Sequence, residues 1–326
     1  MSGDDFPTHD NPSQLSITIP VIQESVTFGV IDMSALIHQR MQAGVVHARY
    51  SETEQTAESV ISSIRLNIYL LSKKFNINMA HMFCVFDCPR AKIWRHDIIK
   101  TYNEKLCARH GLVYESGEEF VSKAKQMGVH LYPIYKGHRE ARNAASTTFN
   151  KDIYVACLKN LRQDNQLNAF AYDSLEADDI AYVICQTIPI HHKIVLLTCD
   201  YDYCQIDRFN TELVNVRSKT FETLGNYSKL TSRDKQRIII EKCLYGDKSD
   251  NIRRSIKTSR VDKEALIAEI EESNFTSSEV NWPEFKLNRD LVDMERVPVS
   301  LIGQCYLDVE KRFNTVLYKN WHSHPN

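Results

Sequence analysis

Three short apolar segments of this chain each run directly into an aspartate. VIDMS contains Asp32, VFDCP contains Asp87, and LTCDYDY contains Asp200 and Asp202. If the segments are neighbouring parallel strands, their carboxyl ends lie at one edge of the sheet, where ligands bind in open α/β folds. One aspartate after a strand is most often a turn or capping residue. Three in three strands predict a shared acidic site.

The apolar runs alternate with longer segments of helical period, which is the pattern of an α/β fold with a mostly parallel central sheet flanked by helices. The predicted strands are 26–31, 81–86, 168–172 and 193–198. The predicted helices between them are 56–75, about 139–163 and 175–186. After residue 228 the pattern is helical only, with segments near 231–245, 262–272, 284–294 and 298–313.

The same patterns predict the domain organisation. Residues 1–24 contain three prolines and few large apolar groups, so they are predicted to form a flexible N-terminal extension. An α/β core over 25–228, a helical region over 229–313 and a tail over 314–326 are predicted to follow. No run approaches the roughly 20 apolar residues of a membrane span, and no signal sequence is recognised. The expected compartment is the cytoplasm.

Two further acidic elements lie outside those three segments. SLEADDIA places Glu176, Asp178 and Asp179 at the start of a helix, where capping and the helix dipole favour acids in any case. CLYGDKSDN adds Asp247 and Asp250, three residues apart on a glycine turn. Alone, that glycine turn would simply end a helix.

Nine acids in one crevice would repel one another and raise several carboxyl pKa values. Divalent cations remove that cost, and oxygen ligands without paired histidines or cysteines select Mg²⁺ or Mn²⁺ over zinc. Two such ions about 4 Å apart are the usual device for in-line attack on a phosphodiester. The nine cysteines form no paired C-x-x-C motif and are expected to be reduced core thiols.

The net charge of −2 argues at first against a nucleic-acid partner. Setting the nine acids aside leaves 33 acidic residues against 40 Lys and Arg, so the rest of the chain carries about seven positive charges. A basic body around an acidic pocket suits a protein that binds and cleaves nucleic acid.

With these residues identified, the chain resembles the 5′ nuclease superfamily, which contains flap endonucleases, the 5′-nuclease domains of bacterial DNA polymerases and phage 5′ to 3′ exonucleases. EADD, DYD and GDKSDNI are similar to the acidic motifs of that family and occur in its order. IDMS, FDCPRAKIWRHD and NRDLVDMERVPVSLI extend the similarity over about residues 28–312. The pattern is most similar to the RNase H group of T-even bacteriophages.

The resemblance implies two Mg²⁺ ions, which Mn²⁺ can replace, and a role for each acid. The residues around the first ion would be Asp32, Asp87, Glu176, Asp178 and Asp200. Those around the second, largely through water, would be Asp202, Asp247 and Asp250, with Asp179 near both ions.

The resemblance also implies catalytic roles for basic residues. Arg95 matches a family arginine, and YKGHR matches a Tyr-Lys-x-x-Arg element at Tyr135, Lys136 and Arg139. Lys136 and Arg139, three residues apart on a predicted helix, would clamp the scissile phosphate, and Tyr135 would stack on an unpaired terminal base. The alternative is a solvated basic helix start.

Residues 96–134 separate Arg95 from this element, whereas relatives have only a handful of residues there. The insertion would enlarge an arch over the active site, at about residues 90–150. A charged surface helix without a substrate role is the alternative, and a competing alignment uses Tyr102 and Lys105.

After GDKSDNI, many relatives have a glycine-rich hairpin that binds duplex phosphates and often a potassium ion. This chain has basic residues instead, which would bind duplex phosphates by charge or form a solvated loop. They are Arg253, Arg254, Lys257 and Arg260, and Lys248 inside the motif is a further predicted nucleic-acid-binding residue. A duplex-binding role for the region 229–313 therefore depends on charge, and a potassium site is not expected.

Taken together, the resemblance implies a metal-dependent 5′ to 3′ nuclease with RNase H, exonuclease or flap endonuclease activity. It would act as a monomer on RNA/DNA hybrids and on DNA duplexes with a 5′ end or flap, removing RNA primers during replication in the host cytoplasm. A sliding clamp and a single-strand DNA-binding protein are the implied partners. The alternatives are a PIN-type endoribonuclease and a non-catalytic replication protein that binds DNA.

Overall fold

A five-stranded parallel sheet forms the centre of the protein. The structure is a computed structural model that describes residues 25–51, 56–138, 150–217, 222–258, 261–272 and 275–323. Its strands are β1 (Thr27–Asp32), β2 (Met82–Val85), β3 (Asn168–Phe170), β4 (Lys193–Thr198) and β5 (Thr211–Asn215). Every neighbouring pair is parallel and the order is β3-β2-β1-β4-β5. The predicted α/β fold with a parallel central sheet is confirmed.

Ten α-helices lie in the described part of the chain. They are α1 (Met33–Ser51), α2 (Ala57–Lys74), α3 (Arg95–Arg109), α4 (Glu118–Gln126), α5 (Lys151–Arg162), α6 (Ala177–Thr187), α7 (Ser232–Tyr245), α8 (Lys263–Glu271), α9 (Trp282–Val292) and α10 (Val299–Ser323). Several helices begin at a side-chain cap. Thr56 forms a reciprocal capping box at the start of α2, and Thr231 forms one at the start of α7.

Two hydrophobic cores lie on opposite faces of the sheet, because successive side chains of a strand point to opposite sides. Val30 and Leu196 pack with α6 and α10 on one face. Ile31 and Val195 pack with α1, α2 and α5 on the other. Burial on both faces explains why the central strands are almost uniformly apolar.

The C-terminal helices pack partly on one another and partly on the rest of the protein. α7, α8 and α9 share a cluster that includes Leu244, Ile267 and Phe285. α7 and α9 contact each other and α9 contacts α3, whereas α10 returns to α6 and contributes Val309 and Phe313 to the sheet core. Between α3 and α4, a small cluster that includes Cys107 and Ala124 gives the insertion its own apolar centre. None of the described helices has the length and apolarity needed to cross a membrane.

The four predicted strands are present with bounds within two residues of the prediction. The edge strand β5 was not predicted, because TELVN is half polar and its first two residues are only partly buried. Helices α1, α3 and α4 were also not predicted. α1 begins directly after β1 without a turn, and α3 buries Arg95 and Asn103 among its few core positions, which obscures the apolar period.

Other boundaries differ from the predictions. The predicted extension 1–24 and residues 139–149 of a predicted helix lie outside the described residues, and the described helix there starts at Lys151. α10 continues to Ser323, ten residues beyond the predicted helix end at 313. All nine cysteines are free, and all except Cys199 are buried.

Candidate active site

The acids meet at the carboxyl edge of the sheet. β1 lies between β2 and β4, so Asp32 at its end is flanked by Asp87 after β2 and by Asp200 after β4. Glu176 precedes α6, which packs on β1 and β2. This edge is the point where the strand order reverses direction, and such switch points form the ligand crevice of open α/β sheets.

Asp32 is the most buried acid of the strand ends and is held rigidly. Its Oδ1 accepts a hydrogen bond from the Ala35 N–H at 3.0 Å, and its Oδ2 accepts one from the Thr198 hydroxyl at 2.8 Å. Burial, followed by the charge of Asp87 and more weakly that of Asp200, raises the pKa of Asp32 to about 7. The edge therefore carries more negative charge than its hydrogen bonds compensate.

Arg95 is the cation at the centre of the EADD motif. Its guanidinium donates to Glu176 Oε2 at 2.7 Å through Nη1, to Asp179 Oδ1 at 2.9 Å through Nη2, and to the Leu291 carbonyl at 2.7 Å through Nε. The residue is only 1 % exposed. Arg95 was expected to be a catalytic residue, and in the structure its donors are used internally, because three carboxylates beside it attract the guanidinium inward.

Asp179 likewise faces the interior. It is 0 % exposed, and besides Arg95 it accepts hydrogen bonds from Trp94 Nε1 at 2.9 Å and from the Glu176 N–H at 3.0 Å. Asp179, which was expected near both ions, thus holds Arg95 and Trp94 in place. Its neighbour Asp178 is less covered, and burial and the charge of Asp179 raise the pKa of Asp178 well above its ordinary value.

The Tyr-Lys element forms a turn, with Lys136 at φ 52°, and not the helix start that we predicted. Tyr135 is 3 % exposed and its hydroxyl donates to Asp250 Oδ2 at 2.9 Å, so its ring is not presented to a terminal base as expected. Lys136 Nζ donates to Glu176 Oε1 at 2.5 Å and lies 3.9 Å from Asp250 Oδ1. Lys136 thus joins the EADD acids to the GDKSDN acids. Arg139 lies outside the described residues.

The GDKSDN turn closes on itself. The backbones of Asp247 and Ile252 exchange two hydrogen bonds of 3.0 and 2.8 Å, and Ser249 donates to Asp247 Oδ1 from both its N–H and its hydroxyl. Gly246 has φ 75°, and a Cβ there would lie 2.4 Å from the Ile252 carbonyl oxygen. Only glycine satisfies both the backbone conformation and this close approach.

Asp202, Asp247 and Asp250 form a compact cluster. Each offers a carboxylate oxygen, and these oxygens all lie within 4.8 Å of one another. They are the three residues expected around a second ion. The five acids expected around the first ion are all described, and they form no comparable group within that distance.

Lys242, one turn before the end of α7, is a site residue that sequence reasoning missed. Its Nζ donates to Asp247 Oδ2 at 2.7 Å and contacts Asp202 Oδ1. Burial and the charge of Asp200 raise the pKa of Asp202 to about 6. Burial also opposes ionisation of Asp247, but Lys242 and the Ser249 hydrogen bonds outweigh it and lower the pKa of Asp247 to about 2. A lysine five residues before Asp247 in the helix was the available signal.

Comparison with known proteins identifies the fold. No protein-family model and no curated protein matches the sequence. The structure of a bacteriophage T5 protein co-crystallized with metal ions matches with a TM-score of 0.56 and 16 % identity, over 90 % of this chain and 98 % of that chain. The T5 5′-exonuclease with bound zinc matches with a TM-score of 0.53, at the same identity and coverage. The chain has the 5′ nuclease fold.

A third structure with the 5′ nuclease fold is a T5 flap endonuclease variant in a pseudo-enzyme–product complex with DNA and metal ions. It matches with a TM-score of 0.54 and 16 % identity, over 90 % of this chain and 98 % of that chain. These similarities establish the fold alone. The closer resemblance to the T-even RNase H group stays a prediction.

The donor set of this 5′ nuclease fold fits hard divalent cations. The candidate ligands are carboxylates, with no histidine or cysteine among them, and the raised pKa values of Asp32 and Asp202 show charge that a cation would stabilise. Asp202, Asp247 and Asp250 are placed to hold one ion. Asp32, Asp87, Glu176, Asp178 and Asp200 line the neighbouring part of the same edge.

The expected duplex-binding residues lie in the GDKSDN turn and just after it. Lys248, Arg254 and Lys257 are exposed, and Lys257 Nζ donates to the Ser278 carbonyl at 2.5 Å. Arg253 is half-buried, with its guanidinium 5.8 Å from the centroid of the Tyr132 ring. Arg260 lies outside the described residues. The exposed cations lie next to the acidic cluster in the chain.

Proposed function

We propose that the protein is a divalent-metal-dependent 5′ to 3′ nuclease that hydrolyses phosphodiesters in duplexes with a 5′ end or flap. The observation that carries this proposal is the clustering of Asp202, Asp247 and Asp250 oxygens within 4.8 Å, beside the acids that end β1, β2 and β4. Acids at this density in a 5′ nuclease fold are suited to phosphoryl chemistry. The T5 structures with metal ions and DNA support the same class of reaction.

The acids divide into two candidate ligand groups. The first is Asp32, Asp87, Glu176, Asp178 and Asp200; the second is Asp202, Asp247 and Asp250. Divalent ions, when bound, supply an activated water and a charge that stabilises the leaving oxygen. We assign the ions as Mg²⁺, with Mn²⁺ able to substitute, because all candidate donors are carboxylate oxygens.

Basic side chains complete the proposed site from two directions. Lys136 lies between the two acidic groups with 13 % of its side chain exposed, so its ammonium can contact a phosphate that enters beside Glu176. Arg95 acts indirectly on the site. Its guanidinium holds Glu176 and Asp179 in place by ion pairs, and it does not reach solvent. Arg139, which lies outside the described residues, stays a second candidate phosphate clamp from the motif resemblance.

Duplex binding is assigned to the region 229–313. Lys248 lies between Asp247 and Asp250, whereas Arg254 and Lys257 follow them, and all three are exposed cations. Phosphate contacts of such cations position a duplex without reading its sequence. Arg253 would contribute at the edge of this surface. The α3–α4 insertion would form the enlarged arch, because it follows Arg95 directly and leads back into the Tyr-Lys turn.

The finer assignment follows from the motif resemblance. We propose that the substrates include RNA/DNA hybrids as well as DNA, and that the protein removes RNA primers from lagging-strand fragments as an RNase H. It would act as a monomer in the cytoplasm of a phage-infected host. A sliding clamp and a single-strand DNA-binding protein are the proposed partners.

The deciding experiment compares the wild type with Asp200→Asn on two substrates: a 5′-labelled RNA/DNA hybrid and a DNA duplex with a 5′ flap. With Mg²⁺ the wild type should release short oligonucleotides, and the variant should lose about 100-fold or more of this activity. Asp173→Asn is the matched control, because Asp173 is an exposed acid whose partner is Lys92 at the surface. Equal activity in wild type and Asp200→Asn would exclude the metal assignment.

The same assay separates the alternative functions. Cleavage confined to single-stranded RNA would favour a PIN-type endoribonuclease. Tight duplex binding without cleavage under any divalent ion would favour a non-catalytic replication protein. The two alternative functions are compatible with the same central sheet, so only the products of the cleavage assay distinguish them.

A further inference from the structure

Tyr203 lies in the short 3₁₀ helix that follows β4, Tyr201–Gln205. The helix is anchored to the acidic edge at its start: Asp200 accepts a hydrogen bond from the Asp202 N–H at 3.0 Å, and the Asp200 N–H donates to the Thr198 hydroxyl at 3.1 Å. The Tyr203 ring belongs to the sheet core and is only 1 % exposed. Its packing therefore fixes the direction of the hydroxyl.

The Tyr203 hydroxyl is buried and has no hydrogen-bond partner among the described residues. The other three buried tyrosines of the described chain all donate: Tyr132 to Asn288 Oδ1 at 2.5 Å, Tyr135 to Asp250 Oδ2 at 2.9 Å, and Tyr227 to the Ile206 carbonyl at 2.6 Å. Buried hydroxyls are nearly always paired, because an unpaired one has lost its water without compensation. The unpaired hydroxyl of Tyr203 is the exception among these four tyrosines and needs an explanation.

The carboxylates whose charges act on this hydroxyl belong to the first acidic group. After burial, the charges of Asp32, Asp178, Asp87 and Asp200, in that order, raise the pKa of Tyr203 well above its ordinary value. Carboxylate oxygens and the waters of a cation are acceptors, and a phenol hydroxyl is a donor that can pair with them.

We propose that Tyr203 is a positioning residue for the first metal site, whose hydroxyl donates a hydrogen bond to a carboxylate or water oxygen of that site when a divalent cation is bound. This inference rests on the proposed function, since it assumes that the first acidic group holds a cation. Groups that orient metal ligands in this way commonly change metal affinity by 10–100-fold.

The test is Mn²⁺ binding to the full chain without nucleic acid, measured by calorimetry and by electron paramagnetic resonance of free Mn²⁺. Tyr203→Phe removes only the hydroxyl. It should weaken one of the two Mn²⁺ sites by about tenfold and leave the other unchanged. Without metal, its melting temperature should equal or exceed that of the wild type, because the hydroxyl has no protein partner to lose.

Tyr227→Phe is the matched control in the same core. It removes the donor to the buried Ile206 carbonyl, so it should lower the melting temperature and leave both Mn²⁺ affinities unchanged. Unchanged affinities in Tyr203→Phe, or a loss of its metal-free stability like that of the control, would overturn the positioning role. A wild type that binds no Mn²⁺ would overturn the proposed metal-dependent function itself, which is a distinguishable result.

Discussion

Lys136 Nζ donates a hydrogen bond to Glu176 Oε1 at 2.5 Å, and this contact connects residues that lie 40 positions apart in the chain. The Lys136 backbone N–H also donates to the Asp250 carbonyl at 2.9 Å. The turn that carries Lys136 is therefore held between the two acidic groups, and its mostly buried ammonium contacts a carboxylate of each.

Replacing Lys136 by methionine should lower kcat by about 100-fold or more with a smaller change in KM, because charge stabilisation in the transition state is lost. Single-turnover cleavage of a 5′-flap duplex measures the effect. Lys92→Met is the control, since Lys92 forms a surface ion pair with Asp173. A change confined to KM would assign Lys136 to substrate binding instead.

Arg95→Met should destabilise the protein by about 3–5 kcal/mol, because it leaves Glu176 and Asp179 buried without their cation. Urea unfolding measures this loss. The interpretation of Arg95 as a structural cation requires the loss to occur without metal and without substrate. A stably folded variant that lacks only activity would support the catalytic role of Arg95 that the motif resemblance implies.

Gly246→Ala should destabilise the protein by about 1–3 kcal/mol, because alanine must adopt a positive φ and meet the Ile252 carbonyl oxygen. The displaced turn should also weaken Mn²⁺ binding at the Asp202, Asp247 and Asp250 cluster. Gly303→Ala is the control: it lies inside α10 with open space around its Cβ position, so alanine should stabilise the helix by up to about 1 kcal/mol. Equal effects of the two substitutions would contradict this account.

The pH dependence of stability should include His192, which lies far from the acids. Burial, and then the charges of His191, Arg208 and His81, lower the pKa of His192 to about 4. The unfolded chain therefore binds a proton more readily, so this contribution is complete above pH 6.5 and is lost as the pH falls towards 4. The fall in unfolding free energy between pH 7 and 4.5 should be smaller in His192→Gln, measured by urea titration. An unchanged slope would show that His192 does not contribute.

The positions of the strand-end acids could be predicted because two general rules suffice. Apolar runs mark strands, and parallel strands place their carboxyl ends together, which brings Asp32, Asp87 and Asp200 to one edge. The edge strand β5 was not predicted. It has a neighbouring strand, β4, on one side only, so it is less buried than the central strands and its sequence need not be fully apolar.

The directions of the basic and aromatic side chains could not be predicted. A motif states that Arg95, Trp94 and Tyr135 lie near the acids, but whether each faces solvent or a buried carboxylate depends on tertiary packing. In the structure all three donate hydrogen bonds to acids of the site. Residues that look suited to substrate contact were recruited to neutralise and orient the acids.

Lys242 gives this acidic edge a counter-ion of its own. Its ammonium sits between Asp202 and Asp247, where the lysine offsets part of the repulsion that a bound cation would otherwise have to offset. We therefore expect the chain to fold without metal, so that metal supply need not limit how much folded protein accumulates. If the cluster binds an ion as proposed, that ion must displace the Lys242 ammonium, so the affinity of the position depends on how far one lysine side chain can move away.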